Sequence, residues 1–147
     1  MADLIKLTVE RLKLTVDAKP PWIDVHELDS LTQLDLKRSK TVRTPSLYVF
    51  QVGDAPQPDV RGSGAYLQTV TVTVGVVIVD ASSNSKPLNW KPLRDELKKR
   101  LFGWSGDDEF EPYWLGSGRL LAVESGRATW LDQFVTEYTE DQNAYGS

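Results

Sequence analysis

The residues able to do chemistry in this 147-residue chain are few and scattered. His26 is the sole histidine, and it lies between Asp24 and Glu27. A general base needs an orienting partner and a nucleophile or water within reach, and no nearby pattern supplies them. A surface or half-buried side chain is the simpler reading. A metal site built on His26 would need carboxylates to complete it, and no ligand spacing is present. Asp107-Asp108-Glu109 and Glu111 do not alternate as the ligands of a calcium loop do, so they read as a solvated turn. Gly62-Ser63-Gly64 and Gly116-Ser117-Gly118 lack a following Lys-Ser/Thr, a third spaced glycine or the G-x-S-x-G form, so they also read as turns. The sequence therefore offers no catalytic set, no metal set and no cofactor-binding motif, and none is expected.

Lys37-Arg38-Ser39-Lys40 followed by Arg43 is a short basic run without interleaved aromatics, which favours solvated surface over a nucleic-acid contact. Net charge is −4. It is uneven: residues 105–147 carry 9 acidic and 2 basic side chains, a net of −7. That balance argues against a phosphate-binding surface, which needs a basic excess. Trp104, Tyr113 and Trp114 stand at element ends beside glycine and proline. Aromatics in that setting are either core corners or interface anchors.

The chain has no cysteine, so disulfides and thiolate metal sites are excluded. Its hydrophobic and charged fractions, 40% and 26%, are those of an ordinary folded domain. No apolar run approaches the length of a membrane helix, and no membrane partner is expected. The first residues lack the basic-then-apolar pattern of a signal peptide, so synthesis and use inside a cell are expected.

The elements that must position these residues follow from periodicity. Leu4, Ile5, Val9, Leu12 and Val16 predict a helix over 3–16 with Asp3 as N-cap. Lys19-Pro20-Pro21 ends it, and a short strand is expected at Trp22–Val25. Ser46–Val52 predicts a strand apolar on both faces. Gly53–Gly64, with two prolines and three glycines, predicts a long exposed loop. Tyr66–Asp80 is the strongest strand signal, with Val70, Val72, Val74, Val76 and Ile78 on one face. Thr69, Thr71 and Thr73 lie on the other, where Val77 and Val79 later replace them. Gly75 marks a bulge or a close backbone approach. Asn89 caps a helix from Trp90 to Phe102 with a Trp90, Leu93, Leu97, Leu101 stripe, and Gly103 stops it. Gly118–Glu124 and Ala128–Thr139 predict a hairpin about Ser125-Gly126. Residues 141–147 are expected to fray. The order is α-β-β-β-α-β-β: a single α+β domain over 1–147, with helices packed on a mixed, mostly antiparallel sheet.

At this point the sequence resembles the tail terminator proteins of long-tailed bacteriophages. The residues that carry the likeness are Gly64-Ala65-Tyr66 leading into the Val/Thr strand to Val79, and Leu93 through Leu101-Phe102-Gly103-Trp104. They continue with Glu111-Pro112, Ser117-Gly118-Arg119-Leu120-Leu121, and Trp130 through Phe134 to Tyr138. They span residues 64–139, more than half of the chain.

The resemblance implies a structural virion protein that performs no catalysis. It implies a closed ring, usually of six copies, at the tail–neck junction. The ring caps the last tail-tube ring, stops polymerisation and faces the head-side connector or stopper protein; in contractile tails it also meets the sheath. DNA would pass through the pore without specific binding. On this reading the candidate interface residues are Gly53, Asp54, Pro56, Pro58, Asp59 and Arg61 of a projecting arm, with Trp104, Tyr113 and Trp114. Asp107, Asp108 and Glu109 are candidate pore-lining residues. The rivals are another neck or head-completion protein, and from a different class a small enzyme or nucleic-acid-binding module.

Overall fold

A computed structural model describes residues 3–28, 43–58, 66–82, 87–124 and 126–142. Helix α1 spans Leu4–Lys13, followed by strands β1 (Asp24–Glu27), β2 (Ser46–Pro56) and β3 (Leu67–Ala81). Helix α2 spans Lys91–Leu101, and strands β4 (Trp114–Glu124) and β5 (Arg127–Asp141) complete one sheet. The strand order is β1-β2-β3-β5-β4. β1 runs parallel to β2, and every other pairing is antiparallel. The α+β architecture expected from the order of periodicities is thus the one found.

Asp3 caps α1 as expected, its carboxylate accepting from Lys6 N at 3.2 Å. The helix stops at Lys13, three residues before the end that spacing suggested, because Leu14 is already extended. Val16 lies outside the helix, in an isolated bridge to Ala18. The carbonyls released at this end find side-chain donors. Trp22 Nε1 donates to Leu12 O at 2.8 Å, and Arg100 Nη1 donates to Leu14 O. Trp22 is therefore a buried plug under the helix end rather than the start of a strand, and β1 begins two residues later.

β2 is longer than its apolar run. Its first five residues are buried; the rest, through Pro56, are exposed. Gly53–Pro56, expected as loop, pair with Thr73–Val70 of β3 after a register shift at Val52. Proline is tolerated there because β1 covers β2 only along Ser46–Val49, leaving one side of Gly53–Pro56 unpaired. β3 follows its predicted pattern. Val70, Val72, Val74, Val76 and Ile78 enter the core beneath the helices with Leu93, Leu97, Leu101 and Phe134. On the opposite face Val77 and Val79 join Tyr48, Phe50 and Leu131 in a second cluster. Gly75 sits between the two, and a Cβ there would lie 2.8 Å from Phe50 Cζ and 3.0 Å from Leu131 Cδ1. It is a close approach; the bulge lies in β2.

Asn89 Oδ1 accepts from Lys91 N at 3.2 Å, so the capping side chain stands one residue before the formal cap, Trp90. β4 starts at Trp114, four residues earlier than its apolar run suggested. Gly126 takes the left-handed conformation (φ 79°) in the β4–β5 turn. Asp141 ends β5 opposite Leu67 rather than belonging to a frayed tail. The basic run Lys37–Lys40, the Gly62-Ser63-Gly64 turn, Ser125 and residues 143–147 lie outside the described residues.

Candidate interaction surfaces

The segment between α2 and β4 holds most of the aromatics singled out from sequence. Gly103, at φ 80°, turns the chain off the helix. Gly103 N donates to Tyr113 O and Tyr113 N donates to Trp104 O, both at 2.9 Å. This closes residues 104–112 into a compact excursion. Tyr113 points inward and is only 3% exposed. Thr8 Oγ1 has one hydrogen, which it donates to Leu4 O at 2.7 Å. The Tyr113 hydroxyl, 2.9 Å away, must therefore donate to Thr8. Tyr113 is a core corner, and burial pushes its phenol pKa well up. Trp104 is half-buried, tilted on Tyr113 with centroids 6.0 Å apart and covered by the Arg11 guanidinium at 5.8 Å. Only Trp114 of the three presents much surface, at 39%.

Asp107, Asp108 and Glu109 lie in the same excursion. Asp107 Oδ1 accepts from Glu109 N at 3.2 Å, and Asp107 O accepts from Phe110 N and Ser105 Oγ. Asp108 and Glu109 are exposed. This is a self-bonded turn, and among the described residues no group of three or more His, Asp or Glu side chains is placed to hold a metal. His26 stacks on Tyr48 with centroids 5.1 Å apart, at the surface of the outermost short strand. Among the arm residues, Gly53, Asp54, Pro56 and Pro58 are exposed. Asp59 and Arg61 lie outside the described residues.

Three features escaped sequence reading. Arg100, in the cationic last turn of α2, is fully buried: Nε donates to Glu96 at 2.9 Å and the guanidinium lies 5.3 Å from the Trp22 ring. Its spacing from Leu93 and Leu97 placed it beside the apolar stripe, which was the available signal. Asp132 is buried on the helix-side face, where Arg94 grips both of its oxygens and Trp130 Nε1 donates at 3.1 Å. Gly118 leaves the space; a Cβ there would collide with Asp132 Oδ1 and lie 2.9 Å from Arg94 Nη2.

The third feature is the placement of exposed apolar side chains. Among the described residues they lie in three parts of the fold. Leu14 and Ile23 flank β1; Val52, Tyr66 and Leu67 lie on the distal part of the β2–β3 pair; Phe102, Trp114, Leu115, Leu120 and Val123 lie on or next to β4. Among the described residues β1 and β4 are the two edges of the sheet. Leu115, Leu120 and Val123 oppose Phe134, Trp130 and Ala128, so all three stand on the helix-side face of the outermost strand. No single strand's periodicity could reveal this, because being an edge is a property of the sheet.

No helix among the described residues is long and apolar enough to cross a membrane. No curated protein matches the chain. The family model described as phage tail terminator protein matches residues 5–144, from the second residue of α1 to beyond the end of β5. That span takes in β1 to β5, α2 and all but the first residue of α1 among the described residues, so the chain belongs to the phage tail terminator family of structural virion proteins.

Proposed function

We propose that copies of this chain close into a ring, six by the family's habit, at the head-proximal end of the tail tube. The ring caps the last tube ring, stops further addition of tube subunits and offers its other face to the head-side connector. In a contractile tail it also meets the end of the sheath. The family match over nearly the whole chain is the observation that carries this reading. The exposed apolar side chains Leu115, Leu120 and Val123 on one face of β4 support it, since a ring subunit needs contact surface for its neighbours. No catalytic step belongs to this role.

Within this reading the distal β2–β3 pair, with Gly53, Asp54, Pro56 and Pro58, is the arm that reaches the tube or a neighbour, together with Asp59 and Arg61. The acidic turn at Asp107, Asp108 and Glu109 faces the pore, where negative charge lets DNA slide without sticking. The deciding experiment mixes the purified protein with its polymerising tube protein and images the product in negative stain. Length-limited tubes carrying a cap at one end are expected. Unaffected polymerisation would reject termination, and binding to the head-side connector alone would favour a neck or head-completion role. Replacing residues 59–65 by a short Gly-Ser turn should leave folding intact and abolish capping; normal capping would remove Asp59 and Arg61 from the mechanism.

A further inference from the structure

We infer that the end of α1 is a two-state element: the last turn of α2 and Trp22 hold residues 14–17 unwound, and release lets α1 continue to Val16. The inference stands on the corner between α1 and α2 and is independent of the proposed ring. Local sequence favours the longer helix, because Leu12 and Val16 carry the apolar stripe onward at a spacing of four. The helix nevertheless stops at Lys13, and Leu14 is extended, with φ −68° and ψ 149°.

Tertiary contacts account for the early stop. A helix running to Val16 uses Arg11 O for Thr15 N and Leu12 O for Val16 N. Both carbonyls are engaged by side chains from other segments. Arg100 Nη1 donates to Arg11 O at 3.4 Å, and Trp22 Nε1 donates to Leu12 O at 2.8 Å. Arg100 Nη1 also donates to Leu14 O, and Arg11 Nε donates to Arg100 O at 3.0 Å. The C-terminal end of each helix is thus capped by an arginine of the other. Lys99 adds an ion pair to Asp17 at 3.0 Å.

The held form carries local costs. Asp17, at φ 64°, is the non-glycine residue with positive φ among the described residues. Ala18 N donates to Val16 O at 2.7 Å, which closes the rare, strained γ-turn about Asp17. Arg100 is fully buried, yet its Nη2 has no hydrogen-bond partner. Both costs oppose the clasp, so weakening the clasp shifts the population toward the longer helix. Asp17 and Lys99 are exposed, so a bound chain that engages either one biases the same equilibrium.

Cα chemical shifts and amide hydrogen exchange at residues 14–16 read the helix end. Trp22→Phe keeps a ring beneath the helix and removes the donor to Leu12 O; Arg100→Met removes the donor to Arg11 O and Leu14 O. Each should keep the sheet and move the Cα shifts of Leu14, Thr15 and Val16 toward helical values. Exchange of the Val16 amide should slow by about tenfold. Asp17→Gly relieves the strain of the held form, so adding it to Trp22→Phe should reverse part of the shift. Folded Trp22→Phe and Arg100→Met chains with wild-type shifts and exchange at residues 14–16 would overturn the inference. Should either variant fail to fold, relaxation dispersion on the unaltered protein decides. A minor state with helical Cα shifts at residues 14–16 supports the two-state end, and flat profiles there overturn it.

Discussion

Arg94 holds Asp132 by two prongs, Nε to Oδ2 and Nη2 to Oδ1, both at 3.0 Å. The pair fastens α2 to β5, and the Arg94 guanidinium lies over the Trp130 ring at 4.6 Å. The Asp132 side chain is 7% exposed against 28% for Arg94, so the carboxylate carries most of the desolvation. A buried charge of this kind is tolerated because three donors from Arg94 and Trp130 satisfy it.

Asp132→Ala removes the anion and leaves Arg94 and the Trp130 indole N–H without their partner. A loss of about 2–4 kcal/mol is expected. Arg94→Ala should cost at least as much, and the double variant should recover part of the sum, because the second substitution removes the orphaned charge. Urea unfolding of the four proteins measures the coupling. Strict additivity would show that the two side chains act separately.

Gly75 has no room for a side chain. An added methyl meets Phe50 and Leu131, both buried in the second cluster. Gly75→Ala should destabilise by about 1–3 kcal/mol through overpacking. Shrinking Phe50 to Leu in the same chain should restore part of the loss, and thermal unfolding reports both. A neutral Gly75→Ala would mean that the sheet yields at this point.

Tyr113 couples stability to alkaline pH. Burial raises its folded-state pKa. The unfolded phenol loses its proton near pH 10. Its contribution is therefore fully present below about pH 10 and declines above that, by up to about 1.4 kcal/mol per pH unit. Tyr113→Phe should flatten this limb while costing about 1 kcal/mol at neutral pH from the lost hydrogen bond. Tyr48 is also raised, chiefly by burial and then by Asp24, so a shallower decline remains. Equal alkaline slopes for wild type and Tyr113→Phe would contradict the assignment.

Neutralising the acidic turn tests its proposed place at the pore. Asp107→Asn, Asp108→Asn and Glu109→Gln together keep an acceptor for Glu109 N and remove three charges. Rings should still assemble, and DNA retention at low salt should rise, with a clear salt dependence. Unchanged retention would place these carboxylates away from the DNA path.

Sequence alone determined the elements whose burial is one-sided or complete along the chain. The Val70-to-Ile78 alternation, the Leu93, Leu97, Leu101 stripe, the Asp3 cap and the Gly103 stop are all local, and local geometry obeys them. It also carried the family likeness, through motifs whose order survives in the chain. Tertiary structure alone decided the rest. Gly53–Pro56 became strand because β3 was there to pair with it, against its Gly/Pro composition. Tyr113 became core and Trp114 surface, although they are neighbours, because successive residues entering a strand point to opposite faces. Asp132 was buried because Arg94, far away in sequence, pairs with it, and Arg100 because Glu96 and the Leu14 carbonyl take Nε and Nη1, while Nη2 stays without a hydrogen-bond partner. The exposed stripe on β4 exists because this strand pairs on one side only, and which strand ends a sheet depends on long-range register that no window of sequence contains.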